Sequence, residues 1–361
     1  MKLIELSGAP KDRGLQHGAM LRDEIHALYA AFLDMIGADE PPFVALSEAE
    51  VLAYAAQHLP FIDAAAPDLL AEMHGIAEAS GIAFEQILAM NCVAEIRRLR
   101  WPDVRARINA GPDTANGGCT CAVVQGDATG GDVLLTQTYD IEPIWTPILF
   151  RNAATETTPA ALFVGHAGIL CQFGMNAAGI SVVASALRVD DQRPGVPAPI
   201  IARLILNETR LSSAVEAIVL NHRTVGIHYA VGSPYGVVDV ESSAGSHAIR
   251  YAHEPIHTFS NHMKSTDLKP RETPLPSAHT YVRDGRMFQL LSKSQRPVTA
   301  DTITAILADH ANYPVGICNH VEPGVSTAES RAAVVMNAAS GVMLCSDGPP
   351  CSNAFRRFTL D

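Results

Sequence analysis

The sequence predicts an α+β protein made of antiparallel sheets covered by helices. Three observations lead there. Helical periodicity dominates up to about residue 115, short β-prone runs separated by turn residues dominate after it, and pairs of helical segments interrupt those runs. A doubly wound parallel fold would alternate strand and helix more regularly. The chain has no internal repeat and no low-complexity tract.

Leu21, Ile25, Leu28, Tyr29, Phe32 and Ile36 recur with helical spacing. A second helix is expected from Pro67 to a stop at Gly81, with Pro suited to a first turn and Gly to a C-terminal cap. A third is expected over Phe84–Arg98. The stretch 101–118, WPDVRARINAGPDTANGG, reads as an exposed loop. Strands are expected over Cys121–Val124, Val133–Thr136, Leu162–Gly165, Ile169–Phe173 and Ile180–Val183. Helices over Ile200–Leu206 and Ser213–Leu220 follow, then hairpin-like runs over Ile227–Val231, Val237–Val240 and His247–Tyr251. Helical patterns return near Ala278–Leu291 and Ala300–Asp309, and Ala332–Met336 and Val342–Cys345 end the chain as strand–turn–strand.

With 48% hydrophobic and 18% charged residues, the 361-residue chain has ample core material for one large domain. No segment approaches the ~18 apolar residues needed to span a bilayer. The start, MKLIELSGAP, is too short in apolar residues for a secretory segment, which needs roughly 7–15, so a cytoplasmic location is expected. The formal net charge of -12, with no basic cluster beyond Arg97, Arg98 and Arg100, argues against nucleic acid as a partner. Seven irregularly spaced cysteines argue against a disulfide framework, and without a CxxC pair or an HExxH array no metal site is expected. His253, His257 and His262 read as structural, and no cofactor is implied.

Chemistry concentrates at Asn116-Gly117-Gly118-Cys119-Thr120-Cys121, on the boundary between loop and strand signals. A thiol here has two targets: an external substrate, or the peptide carbonyl just before it. Gly118 leaves that carbonyl unhindered and frees the backbone dihedrals. Attack by Cys119 on Gly118 gives a thioester, and its hydrolysis leaves Cys119 with a free α-amine. Such an amine has a pKa of roughly 7.7–8 and serves as a base near neutral pH. A buried thiol that merely starts a strand is the plain alternative.

The ordered motifs along the chain resemble the acyl-coenzyme A:6-aminopenicillanic acid acyltransferase family of autoproteolytic N-terminal-nucleophile hydrolases. Gly8-x-Pro10-x-x-x-Gly14-x-x-His17-Gly18 is similar to the family's opening, as are Met73-His74-Gly75-Ile76-Ala77-Glu78 and Ala89-Met90-Asn91-Cys92-Val93-Ala94-Glu95. Gly118-Cys119-Thr120 resembles the processing site, Thr136-Gln137-Thr138-Tyr139-Asp140 the strand with the active-site aspartate, and Phe173-Gly174-Met175-Asn176-x-x-Gly179 a central hairpin. His257-Thr258-Phe259-Ser260-Asn261-His262 resembles the segment with the catalytic asparagine, and Glu329-Ser330-Arg331 a late segment tied to processing and substrate contact.

The resemblance implies a four-layer αββα sandwich, one domain over 1–361, cut into associated chains 1–118 and 119–361. It implies Cys119 as nucleophile, Asp140 as a carboxylate orienting the amine or substrate, and Asn261 as oxyanion donor. Ser330 and Arg331 would support processing or bind substrate, with Arg331 suited to a carboxylate. The family often has a hydroxyl residue two places after the nucleophile, and this chain has Cys121 there. Asn176 reads as a turn residue. The implied activity is hydrolysis of a small N-acyl or aminoacyl amide through an acyl-enzyme. The first alternative is acyl transfer to an amine, with acyl-CoA as a further partner. Two others are an unprocessed cysteine enzyme using a separate His, and an inactive small-molecule-binding protein of the same fold.

Overall fold

The structure, a computed structural model, describes residues 1–39, 43–100, 118–272 and 277–360. The loop expected over 101–118 lies outside the described residues except for Gly118. Among the described residues the strands form two sheets. The first has the order β1 (Leu3–Leu6), β4 (Ile148–Asn152), β5 (Ala161–His166), β6 (Ile169–Asn176), β7 (Ser181–Leu187), β8 (Gly226–Ser233), β9 (Gly236–Ser242), β10 (His247–Ala252). The second has the order β11 (Ile256–Phe259), β2 (Gly118–Val124), β3 (Leu134–Ile141), β12 (Glu329–Asn337), β13 (Val342–Asp347), β14 (Arg356–Thr359). Pairing is antiparallel except for β1 on β4.

Helices cover the outer face of each sheet. On the first lie α1 (Pro10–Met20), α2 (Arg22–Gly37), α3 (Glu48–Ala56), α4 (Leu59–Ala65), α5 (Pro67–Ser80), α6 (Phe84–Asn91), α7 (Val93–Leu99), α8 (Ala198–Asn207) and α9 (Leu211–Val219). On the second lie α10 (His279–Lys293) and α11 (Ala300–Leu307). Three cores follow from this stacking. One joins the first helices to the large sheet, a second fills the space between the sheets, and a third seats α10 and α11 on the small sheet. The order is therefore helix, sheet, sheet, helix, the predicted αββα sandwich. No helix among the described residues is long and apolar enough to cross a membrane.

Local sequence explains most of this. The α2 stripe of Ile25, Leu28, Tyr29, Phe32 and Ile36 is buried, and each such side chain contributes roughly 1.5–3 kcal/mol. Helix α5 starts on Pro67 and stops where Gly81 turns left-handed at φ 77°, its N–H returning to Ala77 O. Helix α1 crosses α5 with backbones in contact. A Cβ on Gly14 would sit 2.0 Å from Glu72 O, and one on Gly75 2.4 Å from Lys11 O, so the glycine motifs near residues 14 and 75 serve packing.

Two expectations change. The helix expected over Phe84–Arg98 breaks at Cys92 (φ −106°). The amide of Asn91 is drawn to the first sheet, donating to Gly168 O at 2.8 Å and accepting from Leu170 N at 3.0 Å. Strands β1, β4, β11 and β14 go beyond the sequence expectation.

Candidate active site

Strand β2 begins at Gly118, opposite Asp140 on β3, with Cys119 opposite Tyr139. Strand alternation assigns the two faces. Cys119, Cys121 and Val123 point into the core between the sheets, while Ala122 and Val124 pack towards α10 and α11. Thr120 also faces α10, where its Oγ1 accepts from Arg283 Nη1 at 2.9 Å.

The backbone of Cys119 is clamped on both sides. Its N–H donates to Asn261 Oδ1 at 3.0 Å. Its carbonyl accepts from Arg283 Nη1 and from Ser260 Oγ, both at 2.8 Å. Gly118 has no room for a side chain, since a Cβ would lie 2.4 Å from Asn261 Oδ1 and 2.8 Å from Arg283 Nη2. The thiol is buried, and Gln137 Nε2 approaches Sγ at 3.9 Å. Burial pushes it up to about 12, with Asp140 adding to the rise and Arg283 opposing it. Sγ is therefore protonated near neutral pH and needs a base before it can attack. Among the described residues no imidazole hydrogen-bonds to it.

Asp140 is buried and receives Ser330 Oγ on Oδ1 at 2.6 Å and Thr138 Oγ1 on Oδ2 at 3.5 Å. The Arg283 guanidinium lies 3.8 Å away. Burial nevertheless lifts the carboxyl to about 6, outweighing Arg283 and the two hydroxyls that pull it down. Ser330 is itself fixed by the backbone of Asn319, which donates to Ser330 Oγ at 2.9 Å and accepts from Ser330 N at 3.0 Å.

Asn261 is brought to Cys119, as expected, with a particular atom presented. Oδ1 receives Cys119 N and Arg283 Nη2, the latter at 2.8 Å, while Nδ2 donates to Ala186 O at 3.0 Å. Ser260 Oγ also donates to Oδ1 at 3.4 Å, and because the Cys119 N–H and the Arg283 guanidinium can only donate, the amide orientation is fixed. An amide NH₂ carries two protons, so one remains for an oxyanion. Arg331 is not drawn in. It sits at a bulge in β12, where its guanidinium meets Glu329 Oε1 at 2.6 Å and Trp145 O at 3.4 Å. Asn176 is a turn organiser, its Oδ1 accepting from Ala178 N and Ile180 N. His257 and His262 pair with Asp239 and Asp284.

Sequence reasoning missed Arg283, the group that touches Cys119 O, Thr120, Asn261 and Asp140 at once. Its signal was an Arg on the same helical face as Thr280, Asp284, Met287 and Leu291, all buried on α10. The fold brings His310, Cys318, His320 and Cys351 together, with their ligand atoms within 4.8 Å of one another, although no sequence spacing announces it.

In sequence, 266 residues, 70% of this chain and 70% of the other, align at 26% identity with the 40 kDa form of acyl-coenzyme A:6-aminopenicillanic-acid acyltransferase from Emericella nidulans. The chain is a distant homologue of that acyltransferase. No protein-family model matches it. Among solved structures, penicillin V acylase from Agrobacterium tumefaciens is similar at a TM-score of 0.44 and 15% identity, over 63% of this chain and 83% of that one. A variant of conjugated bile acid hydrolase from Clostridium perfringens is similar at a TM-score of 0.45 and 12% identity, over 67% of this chain and 97% of that one.

Proposed function

We propose that this protein is a self-processing cysteine amidohydrolase that cuts its own Gly118–Cys119 bond and then uses Cys119 as an N-terminal nucleophile. The observation that carries the reading is the clamp on Cys119. Its N–H is held by Asn261 and its carbonyl by Arg283 and Ser260, while its thiol is neutral and meets no histidine among the described residues. Such a thiol gains a base if its own amine is released.

In the first step Sγ attacks the Gly118 carbonyl carbon, the C–N bond to Cys119 breaks, and the thiol proton passes to the leaving nitrogen. Water then hydrolyses the thioester, leaving a Gly118 carboxylate, a free thiol and an α-amine. Asn261 Oδ1 holds one proton of that amine. In turnover the amine takes the Sγ proton, Sγ attacks the substrate amide, and the substrate's amine departs with the proton. Water releases the acyl group. Asn261 Nδ2 has one proton available for the oxyanion, a contribution of typically about 10²–10³ in rate. Asp140 acts at a remove, through Arg283.

The distant homologue is named for acyl transfer, which supports a second reading in which an amine replaces water as acceptor. Denaturing mass spectrometry tests the shared step. Two fragments, the second starting at Cys119, are expected from the wild type, and one intact chain from Cys119→Ala. A wild-type chain that stays intact on prolonged incubation refutes processing. Assays on short N-acyl amides and acyl thioesters, with and without amines, separate the two acceptors.

A further inference from the structure

His310 lies just past α11, Cys318 and His320 follow on the next loop, and Cys351 comes from the turn after β13. His320 Nε2 lies 3.0 Å from His310 Nε2, 3.4 Å from Cys318 Sγ and 3.5 Å from Cys351 Sγ. One ring nitrogen has a single proton or a single lone pair, so it cannot make a full hydrogen bond to all three neighbours. The convergence has a better explanation in a shared cation. With Zn–N of about 2.0–2.1 Å and Zn–S of about 2.3 Å, tetrahedral geometry separates N from N by about 3.4 Å and N from S by about 3.6 Å. The three separations from His320 Nε2 lie within a few tenths of an ångström of these, and all four ligand atoms lie within 4.8 Å of one another.

We propose that His310, Cys318, His320 and Cys351 form a tetrahedral zinc site. Two thiols release their protons to solvent as the ion binds, so two thiolates and two neutral imidazoles balance the dication. All four positions are filled by protein, which makes the site structural and leaves no place for a metal-bound water. A second group, His228, Asp239 and His257, is set apart by chemistry: Arg250 Nη2 already lies 2.9 Å from both Asp239 Oδ2 and His257 Nδ1, a cation in place.

The zinc would tie the loop after α11 to the turn after β13. It would also fix Asn319, the residue after Cys318, whose backbone holds Ser330 against Asp140. The site thus sets the rigidity of the support behind Asp140 without touching Cys119.

The test uses full-length protein purified without chelator from zinc-supplemented cells. Elemental analysis should find close to one zinc per chain. Cobalt(II) added to metal-stripped protein should give the intense visible bands of a tetrahedral site and the near-ultraviolet thiolate charge-transfer band. Cys351→Ser, at an exposed position, should bind zinc at least about tenfold more weakly. A chelator should lower the melting temperature of the wild type, and should lower that of Cys351→Ser by less. The wild-type cobalt titration needs no variant to fold. Its failure to give tetrahedral bands, in protein that also purifies without zinc, overturns the proposal, as does a Cys318–Cys351 disulfide in the purified chain.

Discussion

Asp140 costs the fold stability at neutral pH, and replacing it exposes that cost. Burial lifts its carboxyl from the ordinary 3.8 to about 6. At about 1.4 kcal/mol per pH unit, keeping it ionised in the native state costs about 3 kcal/mol relative to the unfolded chain. Because the native pKa is the higher one, the favourable contribution is complete below about pH 4 and is lost as pH rises to about 6. Asp140→Asn puts an amide in this place, and an amide does not titrate. The comparison is made by urea unfolding in a Cys119→Ala background, which keeps one intact chain, with and without Asp140→Asn, across this window. The stability of the substituted protein relative to its parent should rise by about 2.5 kcal/mol between about pH 4 and about pH 7. Any pH-independent offset, such as the weakened pairing of Arg283, cancels in that change. A difference flat to within about 0.5 kcal/mol, or one of opposite sign, refutes the account of Asp140 as a buried carboxyl under desolvation.

Two further outcomes follow from the same contacts. Ser330→Ala removes the hydroxyl that donates to Asp140 Oδ1 at 2.6 Å and helps hold the carboxyl down, so the midpoint of the pH-dependent stability should move upward, read by the same unfolding series. Arg283→Lys replaces a fork that reaches Cys119 O, Thr120 Oγ1 and Asn261 Oδ1 with a single point charge. The loss of one charge-assisted bond, about 1.5–3 kcal/mol, should slow self-cleavage roughly 10- to 100-fold in a gel or mass-spectrometric time course.

Much of the fold was legible because its elements carry long periodic signals. The α2 stripe and the Pro67-to-Gly81 helix need no tertiary context to be recognised. The break at Cys92 was not legible, because its cause is a pair of hydrogen bonds from Asn91 to a sheet far along the chain. Cys119 and Asn261 stood out through their order within a series of motifs, and the structure brings them into contact. Arg283 carried no motif of its own, and its importance comes from packing α10 across β2. Cys351 joins His310, Cys318 and His320 only because the turn after β13 folds back upon their loop. That proximity belongs to topology and leaves no trace in local spacing.

Strand β1 lies in the same sheet as strands that follow residue 118, and helices α1–α7 share a core with α8 and α9. A cut before Cys119 would therefore divide the covalent chain without dividing the folded body. Before the cut, unfolding is a unimolecular event and every opened molecule keeps its own partner segment. After it, the two pieces part with the translational freedom of separate molecules, and refolding depends on concentration. The mature form would persist by the height of its unfolding barrier, with its route back to the native state largely closed. Maturation would then trade a reversible fold for a durable one, and the number of active molecules would be set by how many chains fold correctly before they cleave.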